Sequence, residues 1–329
     1  MDRGFLALLA EAASYKRDAF ADSTKSAYRT HLNAYLRFCI FFERVPVPAD
    51  QTTLTAYVAF LARTLKPLSI NCYLNIVRII HLESGLENPL KDNFELGLMR
   101  RGVARQLGVP VTQKLPLTVP ILLKKFELLD LDQSADLSFW AACLLGFYGL
   151  LRKSTLLPKS KADLGNVILR RDVINLCADS FVLCVRHSKT IQFGQRVLQI
   201  PFFFCETKSL CPVRVLLLHL LKSQLPPSAR LFSFLVSGHI FELTHSVFVA
   251  RLRKCLGICG FDPSVYSGHS FRRGGCTLSY EAGLGVMDIK MRGDWRSNAF
   301  ERYLHIPTEK VFASARAISN CVADQSRLV

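Results

Sequence analysis

The chain has 329 residues, of which half are hydrophobic and 21% are charged. This composition excludes an intrinsically disordered chain and a small disulfide-stapled module, and the length is enough for about two domains. The 42 lysines and arginines outnumber the 26 aspartates and glutamates, which gives a formal net charge of +16. Such an excess favours a polyanionic partner, and nucleic acid is the first candidate.

The positive charge is unevenly distributed. Residues 1–110 hold 14 basic and 10 acidic side chains, whereas residues 111–329 hold 28 and 16. We therefore expect the strongest phosphate-binding site in the second part of the chain.

The eleven cysteines are scattered and form no C-x-x-C pair. This pattern is typical of reduced thiols in an intracellular protein. Cys255 and Cys259 lie one helical turn apart, but no second pair with zinc spacing follows them. We predict neither a metal nor another cofactor.

The hydrophobic runs are short. The apolar stretch Phe5–Ala10 ends at Glu11, and Val215–Leu221 is interrupted by His219. Both are far shorter than the roughly 18 residues of a membrane-spanning helix, and neither resembles a secretory signal. We expect a soluble intracellular protein without a membrane partner.

The first part of the chain is predicted to form four helices, over residues 24–41, 53–64, 69–83 and 94–105, because apolar residues recur there with helical spacing. Asp22 or Ser23 is the expected N-cap of the first helix, and Pro46 and Pro48 are expected to end it. Residues 108–118 contain two prolines and no periodicity, which predicts an interdomain linker. The predicted domains are 1–110 and 111–329.

The second part is predicted to be mainly α-helical with one small antiparallel sheet. Three β-rich runs separated by polar turns predict the strands, at Val167–Leu169, Phe181–Val185 and Val197–Ile200. Helical patterns cover residues 121–129 and 135–150 before the sheet, and residues near 212–223, 244–258, 270–282, 286–292 and 308–320 after it.

The segment Gly268–Gly275, G-H-S-F-R-R-G-G, carries the first candidate functional residues. With Ser267 or Gly268 as the N-cap, His269 and Arg272 lie on one face of a helix, near its N-terminus. Unpaired backbone N–H groups, an imidazole and a guanidinium would together bind phosphate. By itself the segment is equally typical of a solvated basic helix surface.

Four further residues add to this signal. Arg152 ends a strongly apolar helix, where burial of a guanidinium is unfavourable without an anionic partner. Lys189 lies in the polar turn between two predicted strands. Trp295 precedes Tyr303 by eight residues near the end of the chain.

The ordered set Arg152, Lys189, His269, Arg272, Trp295 and Tyr303 resembles the tyrosine recombinase, or phage-integrase, family. Phrases such as F-Y-G-L-L-R-K-S, L-C-P-V-R and G-D-W-x-S-x-A-F-x-x-Y are similar to the subgroup carried by the DIRS-type and Crypton-type eukaryotic mobile elements. The resemblance covers nearly the whole chain. It implies a SAM-like core-binding domain at 1–110 and a tyrosine recombinase catalytic domain at 111–329.

The resemblance implies DNA cleavage without metal or ATP. Tyr303 would attack a phosphodiester and form a 3′-phosphotyrosyl ester, while Arg152 and Arg272 stabilise the pentavalent phosphorane. Lys189 would be the general acid for the leaving 5′ oxygen. His269 would bind the phosphate or accept the tyrosyl proton, and Trp295 would donate an indole N–H.

The implied partners are double-stranded DNA, held as in a clamp, and further copies of the chain. In the family a C-terminal helix docks on a neighbouring protomer, so we expect a dimer and then a tetramer on DNA. Lys25, Lys66 and Arg273 are predicted to contact DNA. Residence in the nucleus is implied by the mobile-element resemblance alone.

One departure from the family pattern leaves alternatives open. Thr155 stands where many members carry an acidic residue, three positions after the first arginine. The chain could therefore be a catalytically inactive DNA-binding protein derived from a recombinase. A type IB topoisomerase, which shares the chemistry but exchanges no strands, is a third hypothesis.

Overall fold

The computed structural model describes residues 3–108, 113–163, 167–305 and 308–326. The chain divides into two compact units, Met1–Thr112 and Gln113–Val329. It is mostly helical, with a small antiparallel sheet in the second unit, as predicted from the sequence.

The first unit contains five described helices: α1 (Arg3–Asp18), α2 (Asp22–Phe41), α3 (Gln51–Ala62), α4 (Pro67–Glu83) and α5 (Phe94–Leu107). The last four correspond to the predicted ones, whereas α1 was not predicted. The N-cap of α2 is Ala21 rather than Asp22 or Ser23, and this helix ends at Phe41, before the two prolines.

Aromatic side chains hold the first unit together. Tyr35 of α2 and Tyr57 of α3 are fully buried, with ring centroids 5.0 Å apart. The Tyr35 hydroxyl donates to the carbonyl of Pro46, 2.9 Å away, and so fixes the loop before α3. Asp50 caps α3 by accepting the Thr53 N–H at 2.6 Å.

The second unit contains eight described helices. They are α6 (Val119–Phe126), α7 (Ser134–Tyr148), α8 (Lys153–Leu156), α9 (Pro212–Ser223), α10 (His245–Ile258), α11 (Gly268–Glu281), α12 (Val286–Gly293) and α13 (Thr308–Ser326). Of these, only the single-turn α8 lies outside the predicted helical segments.

Helix α7 forms the centre of this unit. Every residue from Leu137 to Phe147 is buried, and the helix packs against α9 and α11. Helix α11 can come so close because it presents Gly274 and Gly275, where a Cβ atom would overlap the backbone oxygens of Leu117 and Phe147. A continuous apolar helix thus becomes the support for the site-bearing helix.

The sheet contains β1 (Val173–Ile174), β2 (Ser180–Val185) and β3 (Leu198–Phe203), in the order β1-β2-β3 and antiparallel throughout. The second and third predicted strands are confirmed, but the first is wrong. Residues 167–169 form only an isolated bridge, between Leu169 and Arg230, and the partner of β2 is 173–174. A second hairpin, β4 (Ser233–Val236) with β5 (His239–Glu242), was not predicted.

The predicted linker is shorter than expected. Residues 109–112 lie outside the described residues, but residues 113–118 belong to the second unit. The Leu115 N–H donates to Val265 and the Leu117 N–H to Ser270, at 2.8 and 3.0 Å, and Leu117 is fully buried. Backbone pairing and one apolar anchor therefore fix this segment beside the start of α11.

Within the described ranges, no helix has the length and apolar character needed to cross a membrane. The same residues contain no group of three or more His, Cys, Asp or Glu side chains that could hold a metal ion, so Cys255 and Cys259 are not part of such a group.

Candidate active site

The turn between α7 and α8 brings Arg152 next to the start of α11. Leu150 has a left-handed backbone, with φ of 49°, and turns the chain out of α7 so that Arg152 becomes the N-cap of α8. Lys153 then packs its methylene groups against Gly268, where an added Cβ would lie 2.9 Å from Lys153 Cδ. The first turns of α8 and α11 are therefore direct neighbours.

Ser267 fixes the start of α11. Its hydroxyl accepts the His269 N–H at 3.2 Å, and its own N–H donates to Ser270 Oγ at 2.9 Å. This reciprocal cap begins the helix at Gly268 and places His269 in its first turn.

Arg272 is the most deeply buried cation of the site, with 2% of its surface exposed. Its guanidinium donates to the carbonyl of Leu150 through Nη1 and to the carbonyl of Gly293 through Nη2, the latter at 2.5 Å. Its Nε–H has no partner. Two backbone acceptors thus fix the plane of the guanidinium, and one buried donor is left over.

Aromatic rings gather around Arg272. The guanidinium carbon lies 3.7 Å from the ring centroid of Trp295 and 5.1 Å from that of Tyr303. The two rings are themselves 5.2 Å apart, and the Tyr303 ring is 6.4 Å from that of His269. Four of the six predicted catalytic residues therefore form one contiguous cluster.

Tyr303 is the last residue of a 3₁₀ helix, Asn298–Tyr303. Helix α11 forms hydrogen bonds to the chain just before and just after Tyr303. Arg273 donates to the carbonyl of Arg302 at 2.9 Å, and the His305 N–H donates to Thr277 Oγ1 at 3.0 Å. Arg273 is itself buried and also donates to Gln113. Arg273, one of the predicted DNA contacts, is thus buried and supports the tyrosine segment from inside the protein.

Arg152 and Lys189 complete the predicted set. Arg152 is partly exposed, and Lys189 is exposed at the turn between β2 and β3. Among the described residues neither side chain has a hydrogen bond or an ion pair, so both remain available to a ligand.

The electrostatics of His269 and Arg272 link all of these cations. The packing that removes water from the imidazole lowers the pKa of His269, and the charges of Arg272, Lys153, Arg152 and Lys189 lower it further. Burial lowers the pKa of Arg272 to about 9, and Arg152 acts in the same direction. Positively charged side chains therefore surround a neutral imidazole. A bound phosphate would stabilise these cations.

A small cleft connects Arg152 and Arg272, and Thr155 and Asp294 also line it. Thr155 is buried, so no carboxylate reaches the cleft from α8.

Asp294 is buried too and accepts hydrogen bonds from Ser188, Thr190 and Arg196. Burial opposes the ionised carboxyl, but these bonds outweigh it and lower the pKa of Asp294. The role of Asp294 was not predictable from the sequence, because its partners lie about a hundred positions earlier in the chain.

The two remaining predicted DNA contacts lie in the first unit. Lys25 of α2 forms ion pairs with Asp18 and Asp22, both at 3.6 Å. Lys66 is exposed and is the N-cap residue of α4. Neither position belongs to the cluster around Arg272.

The arrangement can bind a phosphodiester and stabilise extra negative charge on it. Arg152 offers a partly exposed guanidinium and Lys189 an exposed ammonium, while Arg272 lines the same cleft as Arg152 and holds a buried Nε–H without a partner. The phenol of Tyr303 lies against the guanidinium of Arg272 and beside the neutral imidazole of His269. A phenol, cationic hydrogen-bond donors and an imidazole thus occur in one place.

Comparison with known proteins finds similar recombinases and integrases. The chain is 25% identical over 274 residues to an integrase/recombinase XerD homolog of Selenomonas ruminantium, which covers 82% of this chain and 77% of that protein. No family model matches the sequence.

Solved structures show the same fold. The Tn1549 transposon integrase in complex with transposon right end DNA superimposes with a TM-score of 0.59, at 12% identity, over 96% of this chain and 98% of the integrase. The XerH site-specific recombinase bound to palindromic difH substrate, in a post-cleavage complex, gives a TM-score of 0.55 at 12% identity, over 88% of this chain and 78% of that one.

Proposed function

We propose that this chain, whose fold and sequence relative support the tyrosine recombinase/integrase family, cleaves and rejoins double-stranded DNA through Tyr303. The observation that carries the proposal is one cluster: the guanidinium of Arg272 lies over the indole of Trp295 and 5.1 Å from the ring centroid of Tyr303, and the His269 ring lies beside that phenol. Residues separated by up to 34 positions in the sequence form one site there. The named DNA complexes of the structural neighbours support duplex DNA as the substrate.

In the proposed reaction the Tyr303 oxygen attacks the scissile phosphorus, and the bond from phosphorus to the 5′ oxygen breaks. The tyrosyl proton passes to His269, whose lowered pKa keeps the imidazole neutral at pH 7. Lys189 protonates the leaving 5′ oxygen. The product is a 3′-phosphotyrosyl ester and a free 5′ hydroxyl, which can reverse the step on the same or another strand.

Arg152 and Arg272 stabilise the charge that accumulates on the non-bridging oxygens. Arg272 is held rigidly by two backbone carbonyls, so its Nε–H is preorganised, whereas the unpaired Arg152 closes on the phosphate from the other side of the cleft. Donors that are fixed before the reaction need little reorganisation when charge develops. The loss of one such donor typically costs about 10²–10³ in rate.

The mobile-element setting and assembly on DNA are part of the proposal. The phrases shared with DIRS-type and Crypton-type elements favour a eukaryotic mobile element, and hence work in the nucleus. Helix α13 exposes Phe312, Ile318 and Val322, which favours its docking on a second copy of the chain. The dimer and tetramer would bring two cleaved duplexes together for strand exchange.

Covalent capture tests the proposal. The full chain is incubated with a pool of nicked duplexes that have a randomised centre, so that a cleaved strand loses its short 5′-hydroxyl fragment and cannot be religated. We expect a DNA adduct that resists denaturant and whose recovered sequences converge, and we expect none with Tyr303→Phe. An adduct of equal yield in Tyr303→Phe would contradict the assignment of the nucleophile.

The second candidate is a DNA-binding protein without catalysis, which the buried Thr155 favours because no acidic side chain from α8 orients Arg152. This candidate predicts enrichment of bound duplexes without any adduct. Binding by either candidate should weaken steeply with salt, because each phosphate contact releases counterions.

A further inference from the structure

We propose that Asp294 is a positioning residue that holds the Lys189 turn over the scissile phosphate, an inference that rests on the proposed function. The lysine loop, residues 186–197 between β2 and β3, contains Lys189. Ser188 and Ile191 exchange two backbone hydrogen bonds, at 3.0 and 3.2 Å, so that Lys189 and Thr190 are the two residues of a tight turn.

The residues on both sides of Lys189 are bonded to one carboxylate. Asp294 Oδ2 accepts from Ser188 Oγ at 3.1 Å and from Thr190 Oγ1, and Asp294 Oδ1 accepts from Arg196 on the returning arm of the loop. Arg296, two residues after Asp294, donates to the Thr190 carbonyl at 3.4 Å. The exposed lysine therefore projects from a turn whose base is fixed on each side.

The same short segment also fixes Arg272. Gly293, immediately before Asp294, accepts from Arg272 Nη2, and Trp295, immediately after it, stacks on the guanidinium. Asp294 itself is 7% exposed and has a left-handed backbone, with φ of 55°. One segment, Gly293–Trp295, therefore fixes both the buried arginine and the lysine loop, and this coupling sets the position of Lys189 relative to the phosphate-binding guanidinium.

A carboxylate is suited to this function because it accepts from three donors without donating to any. An amide at position 294 has one acceptor oxygen and no charge, so it can no longer accept from all three donors: it either sets an N–H against the Arg196 guanidinium or keeps only an uncharged bond to Arg196 and reverses the bonds to the hydroxyls. Asn adopts the left-handed backbone readily, so Asp294→Asn changes the hydrogen bonds with little backbone strain. The exposed Asp288 on α12 provides the matched control, Asp288→Asn.

The first experiment measures backbone amide exchange in the DNA-free chain. We expect faster exchange in the lysine loop for Asp294→Asn and for Thr190→Val, and wild-type exchange for Asp288→Asn. Unchanged exchange in the loop in both loop-linked variants would overturn the proposal. Because no DNA is involved, this result is independent of whether the chain cleaves DNA.

The second experiment uses nicked duplexes with the sequence recovered by covalent capture. It compares the cleavage of a duplex that has oxygen at the bridging 5′ position of the scissile phosphate with one that has sulfur there. A thiolate leaves without a proton because thiols are far more acidic than alcohols, so a defect in acid delivery disappears with the sulfur substrate. We expect Asp294→Asn to cleave the oxygen duplex about 10²-fold more slowly, within the range of general-acid contributions, and the sulfur duplex at nearly the wild-type rate. Lys189→Ala should give the same pattern.

An equal loss on both substrates would show that Asp294 acts on the fold of the site rather than through Lys189, and would overturn the proposal. If the wild-type chain forms no adduct with either duplex, the proposed function fails instead. The two failures are thus distinguished by the wild-type control.

Discussion

The guanidinium of Arg272 lies over the indole ring of Trp295, its carbon 3.7 Å from the ring centroid. Both side chains are buried, and the indole can fold back on this side because residue 293 is a glycine, where a Cβ would overlap the ring. An aromatic face in a site without solvent stabilises a cation by about 2 kcal/mol. Trp295 is thus both part of the apolar cluster with Leu150, Cys276, Ile289 and Phe300 and the support of the arginine.

Trp295→Ala should therefore lower stability and cleavage together. Removal of a buried indole leaves a cavity, and we expect the free energy of unfolding in denaturant to fall by about 3–5 kcal/mol. Trp295→Phe keeps an aromatic face under Arg272 and should lose less in both measurements. The prediction fails if the alanine variant unfolds at the same denaturant concentration as the wild type.

Arg272→Lys tests whether charge alone is sufficient. A lysine keeps the positive charge but lacks the planar fork that reaches both Leu150 and Gly293 while presenting Nε–H to a ligand. We expect the rate of adduct formation to fall by about 10²–10³. Arg302→Lys, at an exposed position of the 3₁₀ helix, is the control and should cleave at the wild-type rate. A fully active Arg272→Lys would show that the fork is not needed.

Gly275→Ala should disrupt the second unit, because the added methyl would overlap the backbone oxygen of Phe147 where α11 meets α7. Neither backbone can move without displacing His269 and Arg272, so we expect a large loss of thermal stability and of cleavage. Gly97→Ala in α5 is the matched control, since nothing lies within 4 Å of an added Cβ there. An alanine is preferred over glycine in a helix by about 1 kcal/mol, so this variant should keep or raise the melting temperature.

The helices were largely predictable because their apolar periodicity is a local property. The apolar segment 135–150 became α7, and the motif around His269 became the capped start of α11. The first strand was misplaced because Val167–Leu169 has a β-rich composition, whereas strand pairing depends on what lies opposite β2. Helix α1 was missed because the apolar run Phe5–Ala10 was weighed only as a secretory or membrane segment; in the structure Phe5, Leu6, Leu8 and Leu9 belong to a helix and are about half exposed.

The candidate site was predictable as a set of residue types, but not as a geometry. The order of Arg152, His269, Arg272 and Tyr303 named the members, and the structure brings the last three into contact with one another. What supports them depends on contacts distant in sequence. Arg273 looked like a surface cation beside Arg272, and its burial follows from acceptors at Gln113 and Arg302 that no local pattern indicates.

Acid should destabilise the second unit through His219. This imidazole of α9 is 1% exposed and bonds the carbonyl of Leu231 at 2.9 Å. Burial lowers the pKa of His219 to about 4, with Arg170 acting in the same direction and the Leu231 carbonyl opposing. The unfolded chain binds this proton with a pKa near 6.5, whereas the folded chain binds it only near pH 4. His219 therefore costs the folded state nothing well above pH 6.5 and lowers the free energy of unfolding progressively as the pH falls from 6.5 towards 4.

The slope approaches about 1.4 kcal/mol per unit of pH once the unfolded imidazole is mostly protonated, so we expect a loss of about 1.6 kcal/mol from His219 between pH 6.5 and 5. Denaturant unfolding at both pH values measures it. His219→Gln can still donate to Leu231 but cannot titrate, so its stability should change less over this range. His239→Gln, at an exposed position of β5, should keep the wild-type dependence. If His219→Gln loses as much stability in acid as the wild type does, another group is responsible, because only the titration of His219 is absent in that variant.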